Sequence, residues 1–275
     1  MYKSSLHIYL LVIIIKVVTL ASCSGYNKAL KSTDPEEKLE FASIALENNE
    51  CIKALPLLEE CVSLTRGTQR AEEVQFKFAE AHYCVRDFYL ARYYYHSYAK
   101  TFPNSPLVED VIFKGAICSY NLSPNWSLDQ TETKAAIQEF QLFMDKYPSS
   151  SLRDSAQTMI DQLRSKLERK SFESAAIYHK IGQYQSATIA LRNALKDYPD
   201  SQYRERMHFL IIDSYYQYAL LSTERRKIAR FNDATEAFHT FASRFPDSEY
   251  YSQAQNIYNH CVKSVGTLES QQQIK

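Results

Sequence analysis

The side chains best able to do chemistry in this 275-residue chain are its six cysteines and seven histidines, and their spacing limits what that chemistry can be. Cys23 follows the apolar run Ile8–Ile15 and the small residues Ala21 and Ser22. Small side chains at that place let a peptidase reach the bond before the cysteine, and the thiol is a nucleophile able to take a diacylglycerol group. His82 and Cys84 are two apart, so on a helix they point to different sides and cannot share a tetrahedral metal. No H-E-x-x-H, no G-x-S-x-G and no glycine-rich phosphate loop occurs, so no enzymatic activity, no metal and no cofactor beyond a covalent N-terminal lipid on Cys23 are expected. Cys51, Cys61, Cys84, Cys118 and Cys261 remain, mostly at small-residue helix positions, and read as buried thiols. The alternative is one disulfide between adjacent repeats involving Cys51, Cys61 or Cys84.

These residues must be held by helices. Gly (5) and Pro (8) are scarce, while Tyr (21) and Phe (14) are abundant. A chain so short of turn residues excludes a β-sandwich or barrel and leaves long helices packed through aromatic rings. The balance of 32 basic and 32 acidic residues excludes a nucleic-acid grip, which needs a basic face against phosphates. Four segments of an aromatic, a Pro, polar residues and a Ser punctuate the chain: Phe102–Ser105, Tyr147–Ser150, Tyr198–Ser201 and Phe245–Ser248. Pro stops one helix and Ser or Asp caps the next. Twelve residues before each Pro stands an Ala (Ala91, Ala136, Ala187, Ala234), and eight before stand Tyr95, Phe140, Leu191 and Phe238. Five before come Tyr98, Phe143, Ala194 and Phe241, so the spacings of four and three fix one helical face.

Leu20-Ala21-Ser22-Cys23 resembles the lipobox of bacterial lipoproteins, in which the peptide is cut before the Cys. Residues 1–22 are then a lipoprotein signal peptide and 23–34 a lipidated linker. Lys16 leaves the apolar run too short for a spanning helix. Removing Lys3 and Lys16 leaves 30 basic residues against 32 acidic, a net charge of −2. Ser24, rather than Asp, follows the Cys, which by the same resemblance places the body on the periplasmic face of the outer membrane.

The Ala–aromatic–Pro pattern resembles the tetratricopeptide repeat, a helix pair of about 34 residues. The expected fold is all-α: a tetratricopeptide-repeat superhelix of about five helix pairs plus a C-terminal capping helix. Repeats fall near 35–68, 72–105, 106–150, 168–201 and 203–248, with a long helix over 151–181 feeding the fourth and the cap over 250–265. Lipobox, spacer, five repeats and the phrases FPNSPLVEDV and KDYPDSQYRERM together resemble the BamD (YfiO) family, lipoprotein subunits of the outer-membrane β-barrel assembly machine. That resemblance implies a scaffold that docks the barrel-forming subunit through its periplasmic domains, works with other assembly lipoproteins, and receives unfolded outer-membrane protein precursors.

Two surfaces are candidates for partner contact. Tetratricopeptide arrays usually bind with the inner face of each first helix, here Glu73, Phe76, Glu80 and Tyr83, with Asp110 and Lys114 in the next repeat. Rings mixed with charges suit an extended peptide; Phe76 and Tyr83 can equally serve helix packing. The second surface is the cationic cluster Arg225, Arg226, Lys227 and Arg230, which can steer an acidic partner or simply be solvated. Trp126, in the insertion of the third repeat, is a further exposed-loop candidate. Other functions compatible with these features are a periplasmic tetratricopeptide lipoprotein of envelope growth or division and, against the single Trp, a glycan-binding uptake lipoprotein.

Overall fold

A computed structural model of the protein describes residues 25–273. Among the described residues the chain is all-α, with no strand. A helical segment at 25–31 precedes α1 (Pro35–Glu47), α2 (Cys51–Leu64), α3 (Ala71–Cys84), α4 (Phe88–Thr101), α5 (Val108–Leu122) and α6 (Thr131–Lys146). The long α7 (Arg153–Lys180) leads to α8 (Tyr184–Asp197), α9 (Arg204–Leu220), α10 (Glu224–Arg244) and α11 (Tyr251–Gln273). None of these helices is long and apolar enough to cross a membrane. The signal segment 1–22 and Cys23 lie outside the described residues.

The proline segments separate the helices as the sequence predicts, but each serine stands two residues ahead of the N-cap position and is not itself the cap, which is Leu107 for α5 and Tyr203 for α9. In each segment, the Ser hydroxyl accepts the backbone N–H two residues on, at 3.1 Å for Leu107 and Leu152 and 3.2 Å for Tyr203 and Tyr250. These serines satisfy backbone N–H groups of the turn just before each helix. Asp34 caps α1 by accepting from the Glu36 N–H at 3.0 Å, with Pro35 pre-set for the first helical position. The turns after α3 and α7 take a left-handed residue, Arg86 (φ 62°) and Gly182 (φ 79°). Each turn is closed by a bond back five residues, Asp87 N–H to His82 O and Gln183 N–H to Tyr178 O.

The described chain divides into two compact units. Unit one holds the residues through Pro124 together with Thr131–Ile160; unit two holds Asn125–Gln130 and Asp161 onward, so α7 passes from one to the other. Within each, helices pack on their sequence neighbours, as tetratricopeptide pairs do. Ala91, Ala136, Ala187 and Ala234 are all buried, and so are Tyr95, Phe140, Leu191, Phe238, Tyr98, Phe143, Ala194 and Phe241. The small residue lets two helices approach and the rings fill the space beyond it. Each fully buried ring contributes roughly 1.5–3 kcal/mol.

Residues 25–31, within the stretch expected as a linker, dock on α1. Ala29 is buried, the Tyr26 and Phe41 rings lie 5.8 Å apart, and the buried Lys38 ammonium donates to Leu30 O at 3.1 Å while pairing with Glu60 at 2.7 Å.

One expectation is corrected. Cys51 and Cys84 do not rest as buried thiols: they form a disulfide, with Cα atoms 6.1 Å apart. Cys51 begins α2 and Cys84 ends α3, and antiparallel packing brings those two ends side by side. Cys61, Cys118 and Cys261 are buried free thiols. Burial pushes the Cys118 and Cys261 thiols up to about 12, which keeps them protonated and inert.

Candidate functional site

Unit one brings four of the six inner-face residues together. The Lys114 ammonium on α5 sits 2.7 Å from a Glu80 carboxylate oxygen on α3, 3.4 Å from Asp110, and 5.2 Å from the centre of the Phe76 ring. The buried Tyr95 hydroxyl donates to the same Glu80 oxygen at 2.6 Å. Burial works to lower the Lys114 pKa, but Glu80 and Asp110 outweigh it and hold the ammonium above its ordinary value. Burial pushes the Tyr95 phenol up, and the Glu80 carboxylate pushes it further.

The other two residues of the row have separate company. Glu73 lies 2.9 Å from Arg70 and 3.1 Å from Lys77, and Arg70 reaches across to Glu36 on α1 at 3.0 Å. Burial opposes ionisation of Glu73, yet Lys77 and Arg70 hold its carboxyl below the usual range. Tyr83 is half-buried edge-on to Phe88 at 5.6 Å and tilted against Tyr95 at 6.5 Å. Phe76 is likewise half-buried, 6.1 Å from the Tyr98 ring. Both rings therefore pack helix on helix and also edge the face. A strip of rings bordered by paired charges can bind a chain; it holds no nucleophile with an adjacent base. Among the described residues no group of His, Cys, Asp and Glu is placed to hold a metal ion.

The cationic cluster of unit two is not one patch. Arg225 and Arg226 are exposed in the first turn of α10, and Lys227 pairs with Glu224 at 2.9 Å. Arg230 turns inward: its guanidinium lies 3.6 Å from the Tyr218 ring centre, donates to the Tyr218 hydroxyl at 2.7 Å, and donates to Ser222. Tyr218 in turn donates to Gln185 at 2.7 Å. Arg230 thus ties α10 to the end of α9 and joins no exposed surface with Arg225.

A third feature of unit two had only Trp126 to announce it. Trp126 forms one side of a cleft of about 880 Å³ whose other walls are Phe172, Ile177, Tyr184 and Leu210. These residues come from a loop and three helices, so no local spacing marks them. His179 also lines the cleft and bridges Asp213 at 3.1 Å and Ser214 at 3.0 Å, joining α7 to α9. Burial works against the Asp213 carboxylate, but hydrogen bonds from His179 and Gln217 hold it below its ordinary range.

Among solved structures, the assembly chaperone of RpL4 (Acl4) is 12% identical with a TM-score of 0.27, over 87% of this chain and 99% of that one. The outer membrane protein assembly factor BamD of Vibrio cholerae serotype O1 is 20% identical over 217 residues, which is 75% of this chain and 90% of the relative. The profile of the family described as YfiO, outer membrane lipoprotein, matches residues 32–230, well over half of the chain. The chain belongs to the YfiO family of outer membrane lipoproteins.

Proposed function

We propose that the protein is an adaptor of outer-membrane barrel assembly, held at the periplasmic face of the membrane by lipid on Cys23. It docks the periplasmic domains of the barrel-forming subunit, works beside other assembly lipoproteins, and receives unfolded outer-membrane protein precursors. The observation that carries this reading is the family match over residues 32–230, together with a relative named as an assembly factor. One acyl chain binds a membrane only marginally, so the anchor needs two or more.

The α3–α5 face supports the receiving part. An extended segment laid along it meets the Phe76 and Tyr83 edges, with Glu80 and Asp110 to accept its amide N–H groups. Lys114 is already paired with both carboxylates, so an acidic group on the segment gains little there. Weak, ring-dominated contact suits a receiver that must pass its cargo on.

Pull-down from detergent-solubilised outer membranes tests the docking part, with a large barrel protein bearing periplasmic domains as the expected partner. Its absence, with an envelope-growth or polysaccharide-linked protein in its place, overturns the reading. Site-specific crosslinking to a precursor's C-terminal peptide tests the receiving part. Phe76→Leu with Tyr83→Leu keeps the apolar packing and should lower the yield severalfold; unaltered crosslinking removes this face. Cys23→Ala should move the protein from the membrane fraction to the soluble one.

A further inference from the structure

The Trp126 cleft is a built site whose charges are left open. The loop that carries the ring is locked from within: the buried Gln130 amide donates to Asn125 O at 2.8 Å and Leu128 O at 2.9 Å, and Lys170 also donates to Leu128 O. The Arg169 guanidinium lies 4.7 Å from the indole centre and fixes its orientation. Opposite, Phe172 is stacked on Tyr203 with ring centres 4.6 Å apart, and Arg206 lies 5.2 Å from the Phe172 ring centre. Rotamers held this way pre-organise a pocket and lower the entropy lost on binding. The volume lies within the range usual for ligand clefts.

The charged groups at its border decide the ligand class. Lys180 and Arg206 line the cleft, and none of the ion pairs among the described residues engages either cation. Glu173 lines it too, likewise outside those pairs. A fatty-acid anion would satisfy the cations but lay its tail against the Glu173 carboxylate. A peptide offers acidic groups to the cations, amide N–H donors to Glu173 and a ring to the apolar walls.

We propose that the cleft between Trp126, Phe172, Ile177 and Leu210 docks a segment of a partner protein in which an aromatic side chain is flanked by acidic residues. The ring enters between Trp126 and Leu210, and the flanking carboxylates reach Arg206 and Lys180. This site is separate from the α3–α5 face and does not depend on the function assigned to it.

Trp126 is the only tryptophan, so its emission reports the cleft directly. The full chain in detergent is titrated with the blocked peptide acetyl-Asp-Phe-Glu-Phe-amide and with its charge-reversed partner acetyl-Lys-Phe-Lys-Phe-amide. A saturable emission change is expected with the first and much weaker binding with the second. Arg206→Glu should weaken the acidic peptide about tenfold or more. The exposed Lys180→Glu should act in the same direction without touching Phe172. Lys263→Glu, on an exposed position of α11 that lines neither site, serves as the silent control, and circular dichroism confirms that each variant is folded. An absent response, equal responses to the two peptides, or indifference to both charge reversals overturns the proposal. A saturable response to dodecanoate that Glu173→Ala strengthens would assign the cleft to an acyl anion instead, and equally overturn it.

Discussion

The α3–α5 face of unit one and the Trp126 cleft of unit two are both lined by rings and rimmed by charge, but their charges are in opposite states. On the first, Lys114 is held by Glu80 and Asp110, and Glu73 joins Arg70 and Lys77, with Arg70 continuing to Glu36. On the second, Arg169 and Lys170 build the loop, while Lys180 and Arg206 stand outside the ion pairs. A ligand on the first face must displace partners that the protein supplies, so its selectivity rests on shape and rings. A ligand in the second meets cations that no internal ion pair holds, beside the Glu173 carboxylate, so its selectivity rests on charge.

The largest test of this contrast concerns rigidity. Only unit one carries a disulfide among the described residues, closing a separation of 33 residues between Cys51 and Cys84. Loop closure of that length stabilises by about 3–4 kcal/mol in the chain-entropy account. Cys51→Ala with Cys84→Ala should therefore speed amide exchange through α2 and α3 by more than a hundredfold while leaving α8–α10 unchanged. Equal acceleration in both units would mean that they unfold as one body, and the comparison between separate faces would lose its basis.

The next test is acid. His208 in unit two is pushed down to about 4 by burial, reinforced by Arg244, Arg204 and Arg192. His82 in unit one is also lowered by burial, but there Asp87 and Glu59 pull the other way. A histidine depressed in the folded state stays neutral while its unfolded form takes a proton, so its contribution is full above about 6.5. That contribution is lost as the pH falls toward about 4. The full shift corresponds to about 3 kcal/mol; solvent screening of the partly exposed His208 reduces the loss expected for unit two to about 2 kcal/mol, and His208→Gln should flatten the slope. Asp213, held below its ordinary 3.8, adds a second loss only under that pH. Denaturant melts of Trp126 emission at pH 7 and pH 4.5 measure the first loss directly. A pH-independent midpoint would show that His208 is hydrated in the folded protein.

What the sequence could and could not disclose follows from the range over which each feature is determined. The Ala91–Tyr95–Tyr98–Pro103 register is local: helical period and a proline stop fix it, so its burial was legible before any coordinates. Ser105, Ser150, Ser201 and Ser248 were legible as helix-start residues for the same reason, but their hydroxyls serve the turn just before each helix instead of capping it. The Cys51–Cys84 bond stood only as the alternative to buried thiols, with its pairing open, because no short spacing marks it. The signal was there, since 33 is close to one repeat length and so returns the chain to a neighbouring helix end. Arg230 read as part of a cationic run because its turn onto Tyr218 and Ser222 depends on how α9 and α10 cross. The Trp126 cleft needs a loop and three helices at once, which periodicity along any one of them does not encode.

A smaller effect would erase the contrast on the first face. Glu80→Gln removes the charge that holds both Tyr95 and Lys114. The amide still accepts the Tyr95 hydroxyl, so the cost should be about 1 kcal/mol in a urea melt. Lys114 keeps only the longer pair with Asp110 at 3.4 Å, so the face gains a cation that is half released. Crosslinking to acidic peptides should then rise on α3–α5, making this face resemble the cleft; no rise would show that the rings alone set what binds there.

The smallest stability effect separates structural charge from charge available to a partner. Arg225 and Arg226 stand in the first turn of α10, where the helix dipole is positive and cations are unfavourable. Arg225→Glu with Arg226→Glu should therefore leave the melting temperature unchanged or raise it by about 1–2 °C. The two cations lose nothing inside the fold, whereas Arg230, tied to Tyr218 and Ser222, would destabilise α10 when replaced. Co-purification with the barrel-forming subunit should nonetheless fall, because an acidic surface on the partner would meet like charge. A lowered melting temperature would mark these cations as structural. Undiminished co-purification in a protein of unchanged stability would remove the start of α10 from the docking surface and leave the Trp126 cleft as the place in unit two where charge is open to a partner.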